Sequence, residues 1–365
     1  MAQDTSILKK RLKKVRTELA ADKADALLVT GKADVAYLSG FTGDDSWLVV
    51  GGKNAYLVTD SRYVLQAQRD CAGCKIYERK GRMADAIEDI LKKNPAVRTV
   101  AVEDKIRLAV FNDLRKKLSV RLKTVKSPVE QCRGVKDEFE IGMIKRAARI
   151  AQTALGEVLS KIRVGMSESE VAAMLEFEMK KHGASAAFES IIAFGSNAAM
   201  PHYLPASRKL KKVDTILIDF GARFGGYNSD ITRCFAVGKV SKFYEKAYKT
   251  VFAAQRAAVK MIFAGQLPLV SDAAAREVIK SAKLPPYGHG TGHGIGLEVH
   301  ERPIISALSK TPLQKGNVTT IEPAIYLPGR FGIRIEDDIL VTQKGCRVLS
   351  TPLKSDEVPL LKVKN

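Results

Sequence analysis

Residues 215–237, TILIDFGARFGGYNSDITRCFAV, decide the interpretation of this chain of 365 residues. Two runs rich in β-branched residues flank Gly225-Gly226, which is the pattern of a β-hairpin. With Phe224-Gly225 as the two-residue loop, Asp219 lies directly opposite Asp230. Facing carboxylates destabilise a sheet unless a bound cation neutralises them. The hairpin therefore predicts a metal site, although the register depends on the choice of loop.

A second pair of acids repeats this arrangement. Residues 318–327 (VTTIEPAIYL) and 331–341 (FGIRIEDDILV) are strand-like and flank Pro328-Gly329. They place Glu322 opposite or nearly opposite Glu336, and alternation puts Arg334 on the face of Glu336. We interpret one of Asp337 and Asp338 as structuring the strand end and the other as solvated.

Histidines cluster in the same half of the chain. Residues 289–300 read HGTGHGIGLEVH and contain three of the five histidines of the chain, and His202 lies earlier in the same half. The glycines make a helix improbable, so His289 and His293 are not the helical pair of a zinc protease. Glycine instead permits close approach of the backbone to a metal or a substrate.

Composition excludes several classes of protein. The chain lacks an apolar run long enough to span a membrane, and its N-terminus lacks an apolar signal segment. Its five cysteines make a disulfide framework improbable, so a cytoplasmic location is expected. Cys71 and Cys74 form a lone CxxC pair with too few partners for a zinc site.

The net charge of +20 is a rival signal, because basic proteins bind nucleic acids and acidic membranes. The excess is spread over both halves of the chain. The densest basic run, residues 9–16, alternates with apolar residues at helical spacing, which is typical of the solvated face of an amphipathic helix. Nucleic acid is therefore not the expected partner.

Two regions follow from the pattern of elements. Strands and helices alternate over residues 1–126, starting with a helix from Asp4, which predicts an α/β domain with a mixed sheet. Ser127-Pro128 breaks the pattern. Over residues 127–365, helices followed by strands occur twice, which predicts an α+β domain with two similar halves. A long helical stretch from Val129 is interrupted near Lys136, and Ser167 and Glu170 form a capping box.

The motifs IDFGARFGGYNSDITR, HGTGHGIGLEVHE, TTIEPAIYLPG and GIRIEDD resemble those of the pita-bread metallopeptidase superfamily, in its Xaa-Pro aminopeptidase and Xaa-Pro dipeptidase (prolidase) branch. ADVAYLSGFTG (residues 33–43) and TDSRY (residues 59–63) resemble the creatinase-type N-terminal domain. The resemblance implies an α+β pita-bread catalytic domain over residues 127–365, preceded by a smaller α/β creatinase-type domain over residues 1–126.

The resemblance also implies a ligand set for two divalent metal ions, with Asp230 and Glu336 bridging them. Oxygen-rich coordination favours Mn²⁺, with Co²⁺ and Zn²⁺ as alternatives. A homodimer is the family expectation. The implied metal ligands are Asp219, Asp230, His293, Glu322 and Glu336, and the further catalytic residues are His202, His289, His300 and Arg334.

The expected activity is hydrolysis of the bond before a proline in second position, by a hydroxide that bridges the two ions. Glu322 would shuttle the proton, and His202 and His300 would donate to the developing oxyanion. His289 and Arg334 would line the proline side. The alternatives are a prolidase restricted to dipeptides, a methionine aminopeptidase, which explains only the second half of the chain, and a non-catalytic pita-bread binding protein.

Overall fold

The computed structural model describes residues 5–71, 73–351 and 356–362. The chain divides into two compact units, Met1–Arg133 and Gly134–Asn365. The predicted boundary at Ser127-Pro128 stays a prediction, and the predicted helix start at Asp4 lies outside the described residues. Among the described helices, none is long and apolar enough to cross a membrane.

The first unit contains a mixed six-stranded sheet within its described residues, in the order β4-β3-β2-β1-β5-β6. The β1–β2 and β2–β3 pairs are antiparallel, whereas β1–β5, β5–β6 and β3–β4 are parallel. This confirms the predicted mixed sheet. The strands are β1 (Ala26–Val29), β2 (Trp47–Gly51), β3 (Ala55–Thr59), β4 (Lys75–Glu78), β5 (Thr99–Glu103) and β6 (Arg121–Val125).

Helices cover this sheet. Helix α1 buries Leu8, Leu12, Val15 and Leu19 and leaves its lysines exposed, in agreement with the predicted amphipathic helix. Arg11 of the predicted solvated face is instead buried, where its guanidinium donates to the Tyr37 carbonyl oxygen. The sequence did not predict α2 or β6, because both mix charged and apolar residues without a clear period. The helices are α1 (Thr5–Ala21), α2 (Lys32–Ser39), α3 (Val64–Asp70), α4 (Met83–Lys92), α5 (Leu108–Lys117) and α6 (Pro128–Gly134).

The predicted interrupted helix runs in sequence from the end of the first unit into the second. The break near Lys136 separates α6 from α7, and Asp137 caps α7. Ser167 accepts from the backbone N–H of Glu170, whose carboxylate in turn accepts from the N–H of Ser167, so the predicted capping box is confirmed. The helices are α7 (Glu138–Leu159), α8 (Glu168–Lys181), α9 (Lys242–Lys260) and α10 (Pro268–Ser281).

The strands of the second unit form several small sheets in the described residues, in the orders β11-β10-β7, β12-β9-β8, β14-β13-β15-β18-β19 and β16-β17. The strands are β7 (Ser185–Ala186), β8 (Ile191–Phe194), β9 (Thr215–Phe220), β10 (Ala222–Phe224), β11 (Tyr227–Asn228), β12 (Ile231–Ala236), β13 (Gly292–Gly294), β14 (Glu301–Ile305), β15 (Val318–Ile321), β16 (Ala324–Leu327), β17 (Phe331–Arg334), β18 (Asp337–Val341) and β19 (Cys346–Val348).

Two apolar cores match the two predicted halves of this unit. One core joins α7 and α8 to the inner residues of β8, β9 and β12. The other joins α9 and α10 to residues of β15 to β18. Each half is thus a pair of helices packed on strands, and the predicted acids and histidines lie on the strands and loops of both halves.

Candidate metal centre

The first acidic hairpin has a different register from the predicted one. Gly225 and Gly226 both adopt positive φ, at 58° and 88°, and form the two-residue loop themselves. Phe224 therefore pairs with Tyr227, and Asp219 pairs with Thr232. The predicted loop, Phe224-Gly225, was wrong because two consecutive glycines fill both left-handed positions of a type I′ turn. In the observed register, Asp230 lies two residues before Thr232, the partner of Asp219. The side chains of Asp219 and Asp230 therefore still point to the same face of the hairpin.

The second acidic pair has the predicted register. Ile321 pairs with Asp337 on one side, and Ala324 pairs with Arg334 on the other. Glu322 and Glu336 lie between these two ladders, opposite each other. The Glu336 carboxylate accepts a hydrogen bond of 2.6 Å from the Thr232 hydroxyl. The two acidic hairpins are therefore joined by a direct side-chain contact.

His293 is held on β13, between two glycines that no larger residue can replace. A Cβ atom on Gly292 would lie 1.9 Å from the Thr320 carbonyl oxygen. The His293 Nδ1 lies 3.1 Å from the Gly294 carbonyl oxygen, which can only accept, so this nitrogen carries the proton. Nε2 is left with its lone pair at 3.6 Å from Asp230 Oδ2 and 3.5 Å from Glu322 Oε1. This is the orientation of a metal-binding imidazole.

A cavity of about 510 Å³ collects the predicted residues. Ligand atoms of Asp230, His293 and Glu336 all lie within 4.8 Å of one another. The lining includes every predicted ligand and every predicted catalytic residue, namely His202, Asp219, Asp230, His289, His293, His300, Glu322, Arg334 and Glu336.

The proton affinities of the acids are strongly perturbed. Burial, reinforced by the neighbouring carboxylates, raises the pKa values of Asp230 and Glu336 well above their usual range. Burial also raises the pKa of Glu322 to about 7. Burial lowers the pKa of His293 to about 4, so this ring is neutral at pH 7. Neutral imidazole and crowded carboxylates together make a strong site for cations.

The donor set fits divalent metal ions. The Oδ1 atom of Asp219 is buried and has no hydrogen-bond partner in the described part of the chain. Arg334 is the one cationic side chain among the described residues that line the cavity, which also holds five acids. Buried carboxylates in such excess stay ionised only when positive charge balances them. Four carboxylates and one imidazole suit hard or borderline ions such as Mn²⁺.

Arg334 organises one side of the cavity. Its guanidinium donates to Asp219 Oδ2 at 2.5 Å, to the Tyr326 hydroxyl, and to Thr232 Oγ1 at 3.1 Å. The Tyr326 hydroxyl lies 3.1 Å from His289 Nε2, and His289 Nδ1 lies 2.7 Å from the Gly290 carbonyl oxygen. Sequence reasoning missed Thr232 and Tyr326. Strand alternation from Glu322 would have placed Tyr326 on the same face as the ligands.

His202 and His300 differ from the other two predicted histidines. Both are exposed at the cavity, and the described residues provide no hydrogen-bond partner for either ring. The His300 ring lies 4.3 Å from the His293 ring, and burial lowers its pKa. Both imidazoles are therefore free to meet a bound molecule.

Asp337 and Asp338 are both buried, so the expectation that one is solvated was wrong. Asp337 accepts from Arg233, Gln255 and Ser350. Asp338 Oδ2 lies 3.3 Å from the backbone nitrogen of Asp230 and accepts from it. Both acids therefore hold the strands of the candidate metal centre in place, whereas only one of them was expected to have a structural role.

Two protein-family models match the chain. The model of "Metallopeptidase family M24" matches residues 142–343, and that of "Creatinase/Prolidase N-terminal domain" matches residues 11–135. The chain belongs to metallopeptidase family M24. It is thus a hydrolase with a creatinase-type N-terminal domain and a pita-bread catalytic domain, and membership of M24 implies divalent metal ions.

Individual relatives cover almost the whole chain. The Xaa-Pro dipeptidase of Pyrococcus furiosus is 34% identical over 94% of this chain and 98% of its own. Among solved structures, the Xaa-Pro dipeptidase from Bacillus anthracis has a TM-score of 0.93 at 35% identity, covering 97% of this chain and 100% of its own. The X-Pro aminopeptidase from Thermotoga maritima has a TM-score of 0.86 at 37% identity, covering 93% and 98%.

Proposed function

We propose that this M24 peptidase is a metal-dependent Xaa-Pro aminopeptidase, which releases the first residue from peptides with proline in second position. One observation carries the choice of an aminopeptidase. Arg334, the one cation among the described lining residues, is already engaged by Asp219 and Tyr326. The described cavity therefore offers no free cation for the carboxylate that a dipeptide places one residue beyond the scissile bond.

The charge of the cavity supports the same choice. The lining contains Glu189 in addition to the four predicted acidic ligands, and Glu189 is exposed. An acidic cavity attracts the free ammonium group of a peptide N-terminus. At the rim, Leu204 and Ile304 are 61% and 44% exposed and line the cavity. An apolar rim suits the continuing chain of a longer peptide better than a terminal carboxylate.

The residues proposed to hold two divalent ions are Asp219, Asp230, His293, Glu322 and Glu336. The chemistry that such ions supply is Lewis acidity, which polarises a carbonyl and makes water more acidic. Mn²⁺ is the proposed metal because oxygen donors dominate the set. Asp219 Oδ1, which has no hydrogen-bond partner in the described part of the chain, is the clearest support for a ligand at this position.

The protein groups then divide the remaining work. Glu322, whose carboxylate oxygen lies 3.5 Å from His293 Nε2 among the proposed ligands, is suited to take up a proton and deliver it to the leaving nitrogen of proline. His202 and His300, with free ring nitrogens, would donate to the oxygen on which charge develops. His289 and Arg334 are held by Tyr326, and we propose that they shape the side of the cavity that receives the proline.

A dipeptide-restricted Xaa-Pro dipeptidase is the second candidate. The names of the Pyrococcus furiosus and Bacillus anthracis proteins favour it. The rim argues against it, because a dipeptidase must neutralise a carboxylate close to the scissile bond.

A comparison of two substrates separates the candidates. Mn²⁺-loaded protein is given an Xaa-Pro dipeptide and the matching Xaa-Pro-Xaa tripeptide, and kcat/KM is measured for each. An aminopeptidase prefers the tripeptide by about tenfold or more, because the carboxylate of the dipeptide would lie in the cavity without a cationic partner. Turnover of the dipeptide alone would establish the second candidate.

A cytoplasmic location and a homodimer remain predictions. The five cysteines are free, which fits a reducing compartment. The homodimer rests on family resemblance alone.

A further inference from the structure

The segment that carries His202 has little regular structure of its own. Residues 194–206, called the His202 loop below, begin at the last residue of β8 and contain the 3₁₀ turn Gly195–Ala199. His202, Tyr203 and Leu204 of this loop line the cavity. A loop that presents catalytic and rim residues must be fixed by contacts from the scaffold.

Glu168 provides those contacts from the first turn of α8. One carboxylate oxygen accepts from the backbone N–H of Phe194 at 2.8 Å and from the Asn197 side chain at 2.9 Å. The other accepts from the Tyr203 hydroxyl at 2.6 Å and from the N–H of Ala206 at 3.3 Å. Its bonds therefore reach both ends and the middle of the His202 loop.

The setting of this carboxylate is unusual for a glutamate. Glu168 has 0% of its surface exposed and forms no salt bridge within the described residues. A buried carboxylate without a cation is costly, and here hydrogen-bond donors from the loop take the place of a cation. Such an arrangement is stable only while the loop keeps its position, which couples the charge to the loop geometry.

The opposite side of the His202 loop rests on the strand that carries Arg334. A Cβ atom on Gly332 would lie 1.7 Å from the Ala198 carbonyl oxygen, so the loop packs directly on this backbone. The Arg334 guanidinium lies 3.5 Å from the Pro201 carbonyl oxygen. The loop is thus held between Glu168 and the strand of the metal centre.

We propose that Glu168 is the positioning residue for His202, and that it fixes the His202 imidazole and the adjacent rim in the geometry that turnover requires. The proposal rests on the catalytic role proposed above for His202. Glu168 touches neither the metal ligands nor the cavity, so it acts only through the loop.

Glu168→Gln tests this proposal because it changes the hydrogen-bonding groups of the side chain and preserves its size. A glutamine at this position has one acceptor oxygen and one NH₂ donor, whereas the site offers donors to both carboxylate oxygens. The NH₂ group would face either the N–H of Phe194 and the Asn197 amide, or the N–H of Ala206 and the Tyr203 hydroxyl. At least one loop N–H loses its acceptor in either orientation, which costs a buried hydrogen bond.

The experiment is a double-mutant cycle on the Mn²⁺-loaded enzyme with an Xaa-Pro-Xaa tripeptide. Glu168→Gln should lower kcat/KM by about 10- to 100-fold, and His202→Ala by a similar factor. The double variant should be no slower than His202→Ala, within about twofold. All variants should bind as much Mn²⁺ as the wild type, and Glu176→Gln on the same helix should keep wild-type turnover.

Two additional measurements keep the proposal testable if Glu168→Gln folds poorly or if the enzyme lacks the proposed activity. Tyr203→Phe removes one donor to Glu168 and should cause a smaller loss that also vanishes in the His202→Ala background. Hydrogen exchange needs no substrate. In Glu168→Gln, amides at Phe194 and Ala206 should exchange faster, while exchange at His293 stays unchanged.

The outcomes are distinct. Multiplicative losses in the double variant, or unchanged exchange in the His202 loop, overturn the positioning role. If the wild type cleaves no tripeptide while Glu168→Gln shows the predicted faster exchange, the proposed function is contradicted. The structural coupling of Glu168 to the His202 loop is then still supported. Full activity of His202→Ala contradicts the role of His202 and, with it, the proposal.

Discussion

At the scale of single residues, Glu322 is the group proposed to transfer a proton. It faces His293 at 3.5 Å and it has a pKa raised by burial to about 7. In the metal-free protein, a carboxyl with this pKa binds a proton near neutral pH, where a surface glutamate remains ionised, and bound cations would lower the pKa again.

Glu322→Gln should therefore lower kcat by about 10²- to 10⁴-fold, because the amide cannot carry the proton. The fold should survive, since the change preserves shape and removes one repelling charge. Circular dichroism and steady-state kinetics on the purified variant check both parts. Retention of more than about a tenth of wild-type kcat would refute the proton-transfer role.

The rim residues Leu204 and Ile304 provide a gain-of-function test of peptide-length preference. Arginine at either position adds a free cation, since Arg334 in the described cavity wall is already engaged by Asp219 and Tyr326. Ile304→Arg or Leu204→Arg should raise kcat/KM for an Xaa-Pro dipeptide relative to the tripeptide by about tenfold. Ile304→Leu is the matched control and should leave the ratio of the two kcat/KM values unchanged. An unaltered ratio in both arginine variants would remove the electrostatic argument for an aminopeptidase.

At the scale of elements, glycine decides how closely the ligand strands approach. Gly292→Ala would bring a Cβ atom to 1.9 Å from the Thr320 carbonyl oxygen and force β13 away from β15. We expect loss of most Mn²⁺ binding, because His293 is the next residue. Metal content after dialysis measures this effect.

Gly156→Ala on the exposed face of α7 is the control, since a Cβ atom at this position would meet no atom within 4 Å. The variant should bind metal normally and stabilise the fold by about 0.5–1 kcal/mol, as alanine does in helices. Normal metal content in Gly292→Ala would show that the strand spacing does not control the site.

The two acidic hairpins show how far sequence reasoning reaches. The period of two identified the faces of Asp219, Asp230, Glu322 and Glu336 correctly, because a face survives any register shift of two residues. The loop of the first hairpin could have been chosen from the chain, since Gly225-Gly226 supplies a glycine for both left-handed positions of a type I′ turn and Phe224-Gly225 for only one. Contacts between distant elements, such as Thr232 with Glu336 and Asp338 with Asp230, leave no local signal.

The role of Glu168 shows the same limit. Local spacing predicted its neighbour Ser167 as a helix cap, and the structure confirmed it. The bonds of Glu168 to residues 194–206 depend on tertiary packing, so no local pattern singles this glutamate out. Histidine clustering, by contrast, was a composition signal that needed no tertiary knowledge.

At the scale of the whole molecule, metal binding and stability are linked through protons. Glu322 has a folded-state pKa of about 7, above the ordinary value of 4.5. Without metal, the folded protein therefore binds more protons than the unfolded chain between these two values. By linkage, this group stabilises the metal-free fold less as the pH rises from about 5 to 7.5.

Bound cations reverse this trend, because they favour the ionised carboxylates of Asp230, Glu322 and Glu336. The increase in Tm produced by Mn²⁺ should therefore grow between about pH 5 and pH 7.5. Thermal unfolding with and without Mn²⁺ across this range measures the increment. An increment that shrinks with rising pH would contradict the assignment of these buried acids as ligands.

The product pattern of one peptide tests the proposed exopeptidase most directly. Mn²⁺-loaded protein is incubated with an Xaa-Pro-Xaa tripeptide and with its N-acetylated form, and the products are identified by mass spectrometry. We expect the free N-terminal residue and a Pro-Xaa dipeptide from the first, and no cleavage of the second. An intact unblocked tripeptide, or cleavage after the proline, would contradict a metallopeptidase acting at the Xaa-Pro bond.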